Sequence, residues 1–399
     1  MKIRIGVNRA NSFRLLAILV WTQTILLQYV RALLMRVPVV GRYPDEIITI
    51  VFVLGILLAL PYYKIYKKDF IFLMLVIAVF LFEMAFYEEG AAFLDRYIID
   101  FIVKILPLYV FGISLSASEN KEEIIYQLYI LSMVTLAANI FYQFVIGTSM
   151  SEVASQYEGN MNLAYNLLPH CCLIAYYTVK RTNILNIVFS IIGGFYLLML
   201  GTRGAALIYL ICFAVLLIMG RTSKWAIIRL IVIFGASVSY VSSSLYETSL
   251  LWLYQRAQQY GLSVRIFDRL LSKTVTVSEG RDYIREILFE AIKERPFLGH
   301  GICSDRVLAG NYAHNIVIEL WVEFGVVIGT AFVITLVIVL LRGYLSAKGE
   351  GEKGLIFSLI CASFCKLFLS GSYLDERLLF LLLGMCVYAI RKRRLDKVR

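Results

Sequence analysis

Residues 296–329 read PFLGHGICSDRVLAGNYAHNIVIELWVEFGVVIG, and this stretch decides how the rest of the chain is interpreted. Its first part holds a proline and several glycines, which is turn chemistry that ends a helix. The pair His314-Asn315 follows, and an apolar segment then continues from Ile316 to about Leu341. Because about 20 apolar residues cover the roughly 30 Å of bilayer hydrocarbon, this segment predicts a membrane-spanning helix with a histidine at its mouth.

The composition of the whole chain extends this prediction to many helices. Of its 399 residues, 60% are hydrophobic and only 17% are charged, with a mean hydropathy of +0.76. The apolar runs are continuous rather than alternating, so they predict helices and not the strands of an outer-membrane barrel. Since backbone groups in lipid must be satisfied internally, the sequence predicts an all-α polytopic membrane protein.

Twelve apolar segments predict about 12 transmembrane helices. They lie near 13–30, 47–63, 70–86, 97–115, 124–146, 163–179, 184–200, 205–219, 225–241, 316–341, 355–369 and 378–390. The basic turns KIYKKD, KRTN, GRTSK and RKRRLDKVR fall on one side, so the positive-inside rule places them and both termini in the cytoplasm. The chain then divides into 1–241 with spans 1–9, an external helical loop at 242–315, and 316–399 with spans 10–12 and a basic tail.

The net charge of +11 lies mostly in short loops between apolar segments. There it acts as a topology signal and a contact to anionic lipid, so we expect no nucleic-acid binding. The seven cysteines lie mostly inside apolar runs and match neither a disulfide framework nor a zinc pattern. The first apolar run lacks the small-residue end of a cleavable signal peptide and predicts the first span instead.

Arginines on the predicted outer face are open to two interpretations. Arg36 and Arg42 lie in the first external loop, where they either contact headgroups or meet an anionic substrate. The long external loop is rich in arginine and holds helix-like segments at 249–260, 263–273 and 280–295, the last with Ser278 as a candidate N-cap. Its arginines suit bidentate binding of phosphate oxygens, or they pair with the carboxylates of the same loop.

Three motifs in this order resemble the O-antigen ligase / Wzy polymerase superfamily of bacterial membrane glycosyltransferases. The first is the turn GTRGA at 201–205, and the second is SEGR at 278–281 followed by PFLGHG at 296–301. The third is His314-Asn315, which nine intervening residues separate from Gly325. The next glycine, Gly329, falls one residue later than the commonest family spacing, which loosens the inference that these glycines pack helices.

The resemblance implies a GT-C-like glycosyltransferase in the bacterial cytoplasmic (inner) membrane, with its active site on the outer or periplasmic face. Such an enzyme joins a glycan carried on undecaprenyl diphosphate to an acceptor hydroxyl, with inversion and without a metal or other cofactor. The implied partners are the undecaprenyl-diphosphate-linked donor, the glycan acceptor, membrane lipid, a chain-length regulator and a flippase. No Asp-x-Asp or His/Cys cluster in the sequence points to a metal site.

The resemblance also assigns roles to residues. His314 is the expected general base, since an unperturbed imidazole pKa near 6.5 suits proton acceptance. Arg203 and Arg281 are expected to stabilise the charge that develops on the leaving diphosphate. The expected substrate-binding residues are Asn315, Arg285, Arg306, Arg42 and Arg36. As alternatives, His314 is an interfacial histidine bonded to a carbonyl, and Arg203 is a snorkelling residue at a helix end.

Three functions fit these features. The first is a polymerase that joins lipid-linked oligosaccharide repeat units into capsule, exopolysaccharide or O-antigen. The second is an O-antigen ligase that transfers finished glycan to lipid A–core. The third, from a different class, is a flippase or other transporter, which would need charges along a path through the bundle. Most charges here lie at helix ends, which disfavours the transporter. Between the two enzymes, the divergence of the sequence from the ligase pattern favours the polymerase.

Overall fold

The structure, a computed structural model, is helical wherever it describes regular elements. It describes residues 13–14, 16–22, 42–43, 47, 50, 65–86, 88–141, 159–181, 183–200, 202–220, 244–259, 271 and 281–398. No strand occurs in these residues, so the predicted all-α class is confirmed for them.

The helices follow one another in the order of the predicted spans. In chain order they are α1 Lys67–Phe86, α2 Glu88–Asp100, α3 Leu106–Ala117, α4 Lys121–Phe141, α5 Gly159–Lys180, α6 Ile184–Met199, α7 Arg203–Gly220, α8 Ser244–Gln259, α9 Arg281–Glu294, α10 Ser304–Ala309, α11 Ile316–Ser346, α12 Glu350–Leu359 and α13 Arg377–Val398. A π-helical turn at Phe101–Ile105 joins α2 to α3, just before Pro107, which lacks the N–H of a regular helical bond.

Four helical stretches are long and apolar enough to cross a membrane. They are Lys67–Phe86, Phe93–Ala117, Lys121–Phe141 and Ile316–Ser346, and α6 and α7 add shorter apolar helices. These helices agree with a membrane protein. The segments predicted near 47–63 and 225–241 lie almost wholly outside the described residues, so the number of twelve spans and the GT-C-like fold stay predictions.

The chain forms two compact units, which are Met1–Leu128 with Ser278–Arg399, and Tyr129–Val277. These units do not follow the predicted segments 1–241, 242–315 and 316–399, which trace the membrane topology. In the first unit, α3 and α13 pack at very short range through glycines. A Cβ atom on Gly112 would lie 2.2 Å from the Leu381 carbonyl oxygen, and one on Gly384 would lie 2.0 Å from that of Tyr109.

Polar contacts in the first unit gather at the two ends of its long helices. At the end that carries the basic turns, Asp69 of α1 accepts hydrogen bonds from both terminal nitrogens of Arg391 at 2.6 and 2.8 Å. At the opposite end, the Glu83 carboxylate of α1 accepts from the backbone N–H of Ile302 at 3.2 Å. Segments that the predicted topology places on one side of the membrane therefore contact each other.

Helix α11 breaks at Gly325, whose φ of 79° and ψ of 164° are not helical. The Trp321 indole N–H donates to the Thr330 hydroxyl at 2.9 Å, although nine residues of a straight helix rise about 13.5 Å. The single span predicted from Ile316 is thus interrupted. The part after Gly325, residues 326–346, rises about 31 Å and is long enough by itself to cross the hydrocarbon.

The turn segment 296–301 runs beside this break. The backbone N–H of Val326 donates to the Pro296 carbonyl at 2.7 Å, and that of His300 donates to the Val322 carbonyl at 2.8 Å. These bonds satisfy backbone groups that the broken helix leaves without partners.

Glycines make this close approach possible. A Cβ atom on Gly299 would lie 2.3 Å from the Glu323 carbonyl oxygen, and one on Gly325 would lie 2.3 Å from that of Phe297. Both glycines also have positive φ, at 68° and 79°. The second and third sequence motifs therefore form one interlocked structure.

Gly329 also serves close packing despite its unusual spacing. A Cβ atom there would lie 2.6 Å from the carbonyl oxygen of Leu320, across the break. The short helix before Gly325 thus lies directly against Gly329, although this glycine falls one residue later than the commonest family spacing.

Buried polar contacts join the helices of the second unit. The hydroxyls of Thr178 and Ser190 lie 2.7 Å apart between α5 and α6, and the Tyr209 hydroxyl of α7 donates to the Ser190 carbonyl at 2.7 Å. His170 is buried in α5 with its Nδ1 3.1 Å from the Ser132 hydroxyl of α4.

Candidate active site

Asn315 fixes the start of the short helix that precedes the break in α11. Its side-chain oxygen accepts from the backbone N–H groups of Val317 and Ile318 at 2.9 and 3.4 Å, which makes it the N-cap. Its side-chain nitrogen donates to the Phe368 carbonyl at 3.1 Å. Both ends of the amide are thus committed, and His314 is placed at the junction of α11 and the segment after α12.

His314 is held in an uncommon backbone conformation. Its φ is 56°, in the left-handed region that non-glycine residues rarely adopt and that is enriched at functional sites. Its ring lies 4.0 Å from the Tyr312 ring between centroids. Nδ1 is shielded from solvent and has no hydrogen-bond partner among the described residues.

The surroundings of His314 favour the neutral imidazole. Burial, followed by the positive charges of Arg281 and Arg285, lowers its pKa from 6.5 to about 4. At neutral pH the ring therefore carries no charge and is able to accept a proton. The same two arginines give the space beside it a positive potential that suits an anion.

Arg281 and Arg285 project from the first turns of α9. The Nη1 of Arg281 donates to the Leu369 carbonyl at 3.0 Å, next in sequence to the carbonyl that Asn315 holds. The Arg285 side chain is 42% exposed and lies 3.5 Å from the Asp282 carboxylate, whose side chain is 67% exposed. An exposed pair of this kind contributes little energy, so Arg285 is available to an incoming anion.

Helix α9 is held in place by an apolar face that the helical spacing in its sequence predicts. Leu288, Ala291 and Ile292 are buried against Ala313 and the short helix that follows His314. The position of Arg281 and Arg285 relative to His314 is therefore set by core packing and not by the loop alone.

Arg306, in contrast, is buried and bonded through all of its guanidinium nitrogens. Nη1 contacts Asp305 at 2.6 Å and Glu319 at 3.2 Å, Nη2 donates to Ser372 at 2.6 Å, and Nε donates to the Tyr97 hydroxyl at 3.3 Å. This geometry favours a supporting role. The substrate-binding role of Arg306 stays a prediction.

The buried carboxylates around Arg306 connect it to the backbone of the site. Asp305 accepts from the Ala313 N–H at 2.9 Å, directly before His314. Glu319 also accepts from the Ser372 hydroxyl, and Glu323 accepts from the Tyr373 hydroxyl at 2.7 Å. Burial raises the pKa of Tyr373 well above its usual value, so that hydroxyl remains a donor.

Our sequence analysis did not select Asp305, Glu319, Glu323 or Tyr373. A signal was nevertheless present, because Glu319 and Glu323 are two carboxylates one helical turn apart in otherwise apolar text. Ionisable residues in such text are expensive to bury and usually functional or paired. The hydrogen-bond partners of Glu319 and Glu323 could not be read from the local sequence, since Ser372 and Tyr373 lie about 50 residues later in the chain.

The other predicted site residues fall in different places. Arg203 is the first residue of α7 and belongs to the second unit. Arg42 is exposed, and Arg36 and the candidate cap Ser278 lie outside the described residues. His300 has its Nε2 2.9 Å from the Ala291 carbonyl, so its ring is bonded within the fold. The described residues include no cluster of His, Cys, Asp and Glu that could hold a metal ion.

Comparison with known proteins gives one match. Residues 188–334 match the family model described as O-antigen ligase. The matched segment contains the whole motif-bearing stretch, from the GTRGA turn to Gly329, and it confirms the resemblance to the O-antigen ligase / Wzy-type superfamily. No curated protein and no solved structure matches the chain.

Proposed function

We propose that this chain, whose residues 188–334 match the O-antigen ligase family, polymerises oligosaccharide repeat units carried on undecaprenyl diphosphate into a surface polysaccharide. The coarser class, a membrane protein of ligase or polymerase type, rests on the family match and the apolar helices. The alternative is an O-antigen ligase that uses lipid A–core as acceptor, and the family match supports both activities equally.

The leaving diphosphate defines the first half of the reaction. As the bond between the anomeric carbon and the diphosphate oxygen breaks, negative charge develops on that oxygen. Arg281 and Arg285 present positive charge beside His314, and oriented cations stabilise such charge most in a site that excludes water. Arg203, from the GTRGA motif, and Arg42 and Arg36, from the first external loop, stay predicted donor-binding residues.

The acceptor hydroxyl defines the second half. Its oxygen attacks the anomeric carbon from the side opposite the diphosphate, which inverts that carbon, and its proton passes to the imidazole of His314. Nε2 is the proposed proton acceptor because Nδ1 is shielded. The products are the extended glycan, undecaprenyl diphosphate and a protonated His314, which returns its proton to water.

One observation carries this proposal. A neutral histidine, strained into a left-handed backbone, lies beside two arginines that repel its protonated form. The site therefore holds a proton acceptor, His314, next to two positive charges that are able to bind an anion. A histidine with only a packing role needs neither the strain nor the neighbouring cations.

The pH dependence of kcat/KM tests this arrangement. His314 must be neutral to act, and its lowered pKa keeps it neutral, so we expect the wild-type value to hold until the pH approaches about 4. In Arg285→Gln one repelling charge is gone, and the pKa of His314 rises. The acid limb of the profile should then move to higher pH, as measured with donor and acceptor in vesicles between pH 4 and 8.

Lys293→Gln is the matched control for this experiment. Lys293 lies on the same helix but is exposed and paired with Glu290 at 2.6 Å. Its removal should leave the acid limb where it is. An unchanged limb in Arg285→Gln would contradict the proposed coupling between that arginine and the base.

Glycan profiles of a deletion strain test the function itself. If the chain is a polymerase, deletion leaves single repeat units on the lipid or core, and the wild-type gene restores the ladder. Polymer that accumulates on undecaprenyl diphosphate would show a ligase instead. Repeat units confined to the cytoplasmic face would show a flippase and overturn both enzyme proposals.

A further inference from the structure

A groove lies between α1, α11 and α13 at the end of the first unit that carries basic turns. Its volume is about 460 Å³. The positive-inside rule places this end in the cytoplasm, away from the candidate active site. The groove plays no part in the proposed transfer reaction, and nothing in the family resemblance assigns it a role.

The rim of the groove carries a surplus of positive charge. Lys68, Arg342, Arg391 and Arg394 line it. Arg391 is held by Asp69 through two hydrogen bonds and lies 4.4 Å from the centre of the Tyr66 ring. The other three cations are exposed and have no carboxylate partner among the described residues. Four cations with one carboxylate leave three positive charges for a ligand.

The walls of the groove are apolar on the membrane side of these cations. Ile338 lies one helical turn before Arg342 on α11, and Val387 lies one turn before Arg391 on α13. Both helices run toward the basic end, so on each of them the apolar residue is deeper in the membrane than the cation. Charge at the headgroup level above an apolar channel matches the two parts of one phospholipid molecule.

We propose that this groove binds an anionic phospholipid of the cytoplasmic leaflet. Lys68, Arg342 and Arg394 would contact the headgroup phosphate, and an acyl chain would lie along Ile338, Val339 and Val387. Basic pockets between transmembrane helices on the cytoplasmic side are recognised sites for anionic headgroups. The lipid would join α1 to α13, and its binding does not depend on the proposed transfer reaction.

The test measures phosphatidylglycerol bound to the full chain in detergent micelles, by native mass spectrometry, against phosphatidylcholine as reference. We expect the wild type to retain phosphatidylglycerol selectively. In Lys68→Gln/Arg394→Gln, binding should weaken by about thirtyfold, since each surface cation contributes roughly fivefold. Lys67→Gln/Lys392→Gln is the matched control, because it removes the same charge from neighbouring exposed positions on the same two helices. The control should bind as the wild type does.

Two further arms identify the source of the bound phosphate. Val339→Trp fills the groove without changing its charge and should also abolish selective retention. If that variant binds normally, or if both double variants weaken equally, the groove is not the site and the inference is wrong. If 10 mM inorganic phosphate displaces the lipid from the wild type, the site recognises a small anion and not a phospholipid.

Discussion

Replacing His314 with glutamine is expected to lower the transfer rate by about a hundredfold to ten-thousandfold, the range that general-base catalysis usually contributes. Glutamine keeps a polar side chain of similar reach but cannot accept the acceptor's proton. The measurement is the initial rate of glycan transfer from an undecaprenyl-diphosphate-linked donor in vesicles. The amount and the unfolding temperature of the variant are measured alongside.

His300→Gln is the matched control for this loss. His300 lies in the same segment, but its ring nitrogen is bonded to the Ala291 carbonyl, a bond that a glutamine amide is able to replace. We expect a rate close to that of the wild type. His314→Gly adds a check on folding, since glycine adopts the φ of 56° without strain. A His314→Gln enzyme with the wild-type rate would remove His314 from the proposed chemistry.

Replacing Arg306 with methionine is expected to destabilise the first unit by about 3–5 kcal/mol, the usual effect of breaking a buried ion pair from one side. Asp305 and Glu319 are both fully buried and would lose their shared cation. Thermal unfolding in detergent measures the effect. Adding Glu319→Gln to Arg306→Met should recover part of the loss, because one stranded carboxylate is then removed.

This experiment also separates two roles for Arg306. Arg285→Gln removes an exposed arginine near the same site and should change stability by at most about 0.5 kcal/mol. If Arg306→Met unfolds at the wild-type temperature but binds donor weakly, Arg306 is a substrate ligand, as the sequence predicts. If it unfolds early, its role is the support of the segment that carries His314.

Much of the helical architecture was predictable because long hydrophobic runs are visible in the sequence itself. The predicted span at 70–86 matches α1 Lys67–Phe86, and the one at 184–200 matches α6 Ile184–Met199. The break in α11 was not predictable in this way, since the apolar run resumes directly after Glu323 and continues through Gly325 to Leu341. The break depends on hydrogen bonds from a segment about 25 residues earlier, which a local pattern does not contain.

The candidate site likewise has a part that the sequence predicts and a part that it does not. Motif order pointed to Arg281, His314 and Asn315, which the structure brings together around the carbonyls of Phe368 and Leu369. The environment of Arg306 was not visible, because Tyr97 and Ser372 approach it from distant parts of the chain. The residue type of Arg306 alone suggested that this side chain binds phosphate. Its exposure of only 5% favours a supporting role, and substrate binding by Arg306 stays a prediction.

The carboxylates of α1 set an order of assembly during synthesis. Glu83 bonds to a backbone group 219 residues later in the chain, and Asp69 bonds to Arg391, 322 residues later. At about 5–20 residues per second, a ribosome needs roughly 15 to 65 seconds to make the second interval. Throughout that time Asp69 lacks the cation that neutralises it in the finished protein, although α1 is long and apolar enough to enter the bilayer early. The first unit is therefore completed only after α13 has been made and lies beside α1.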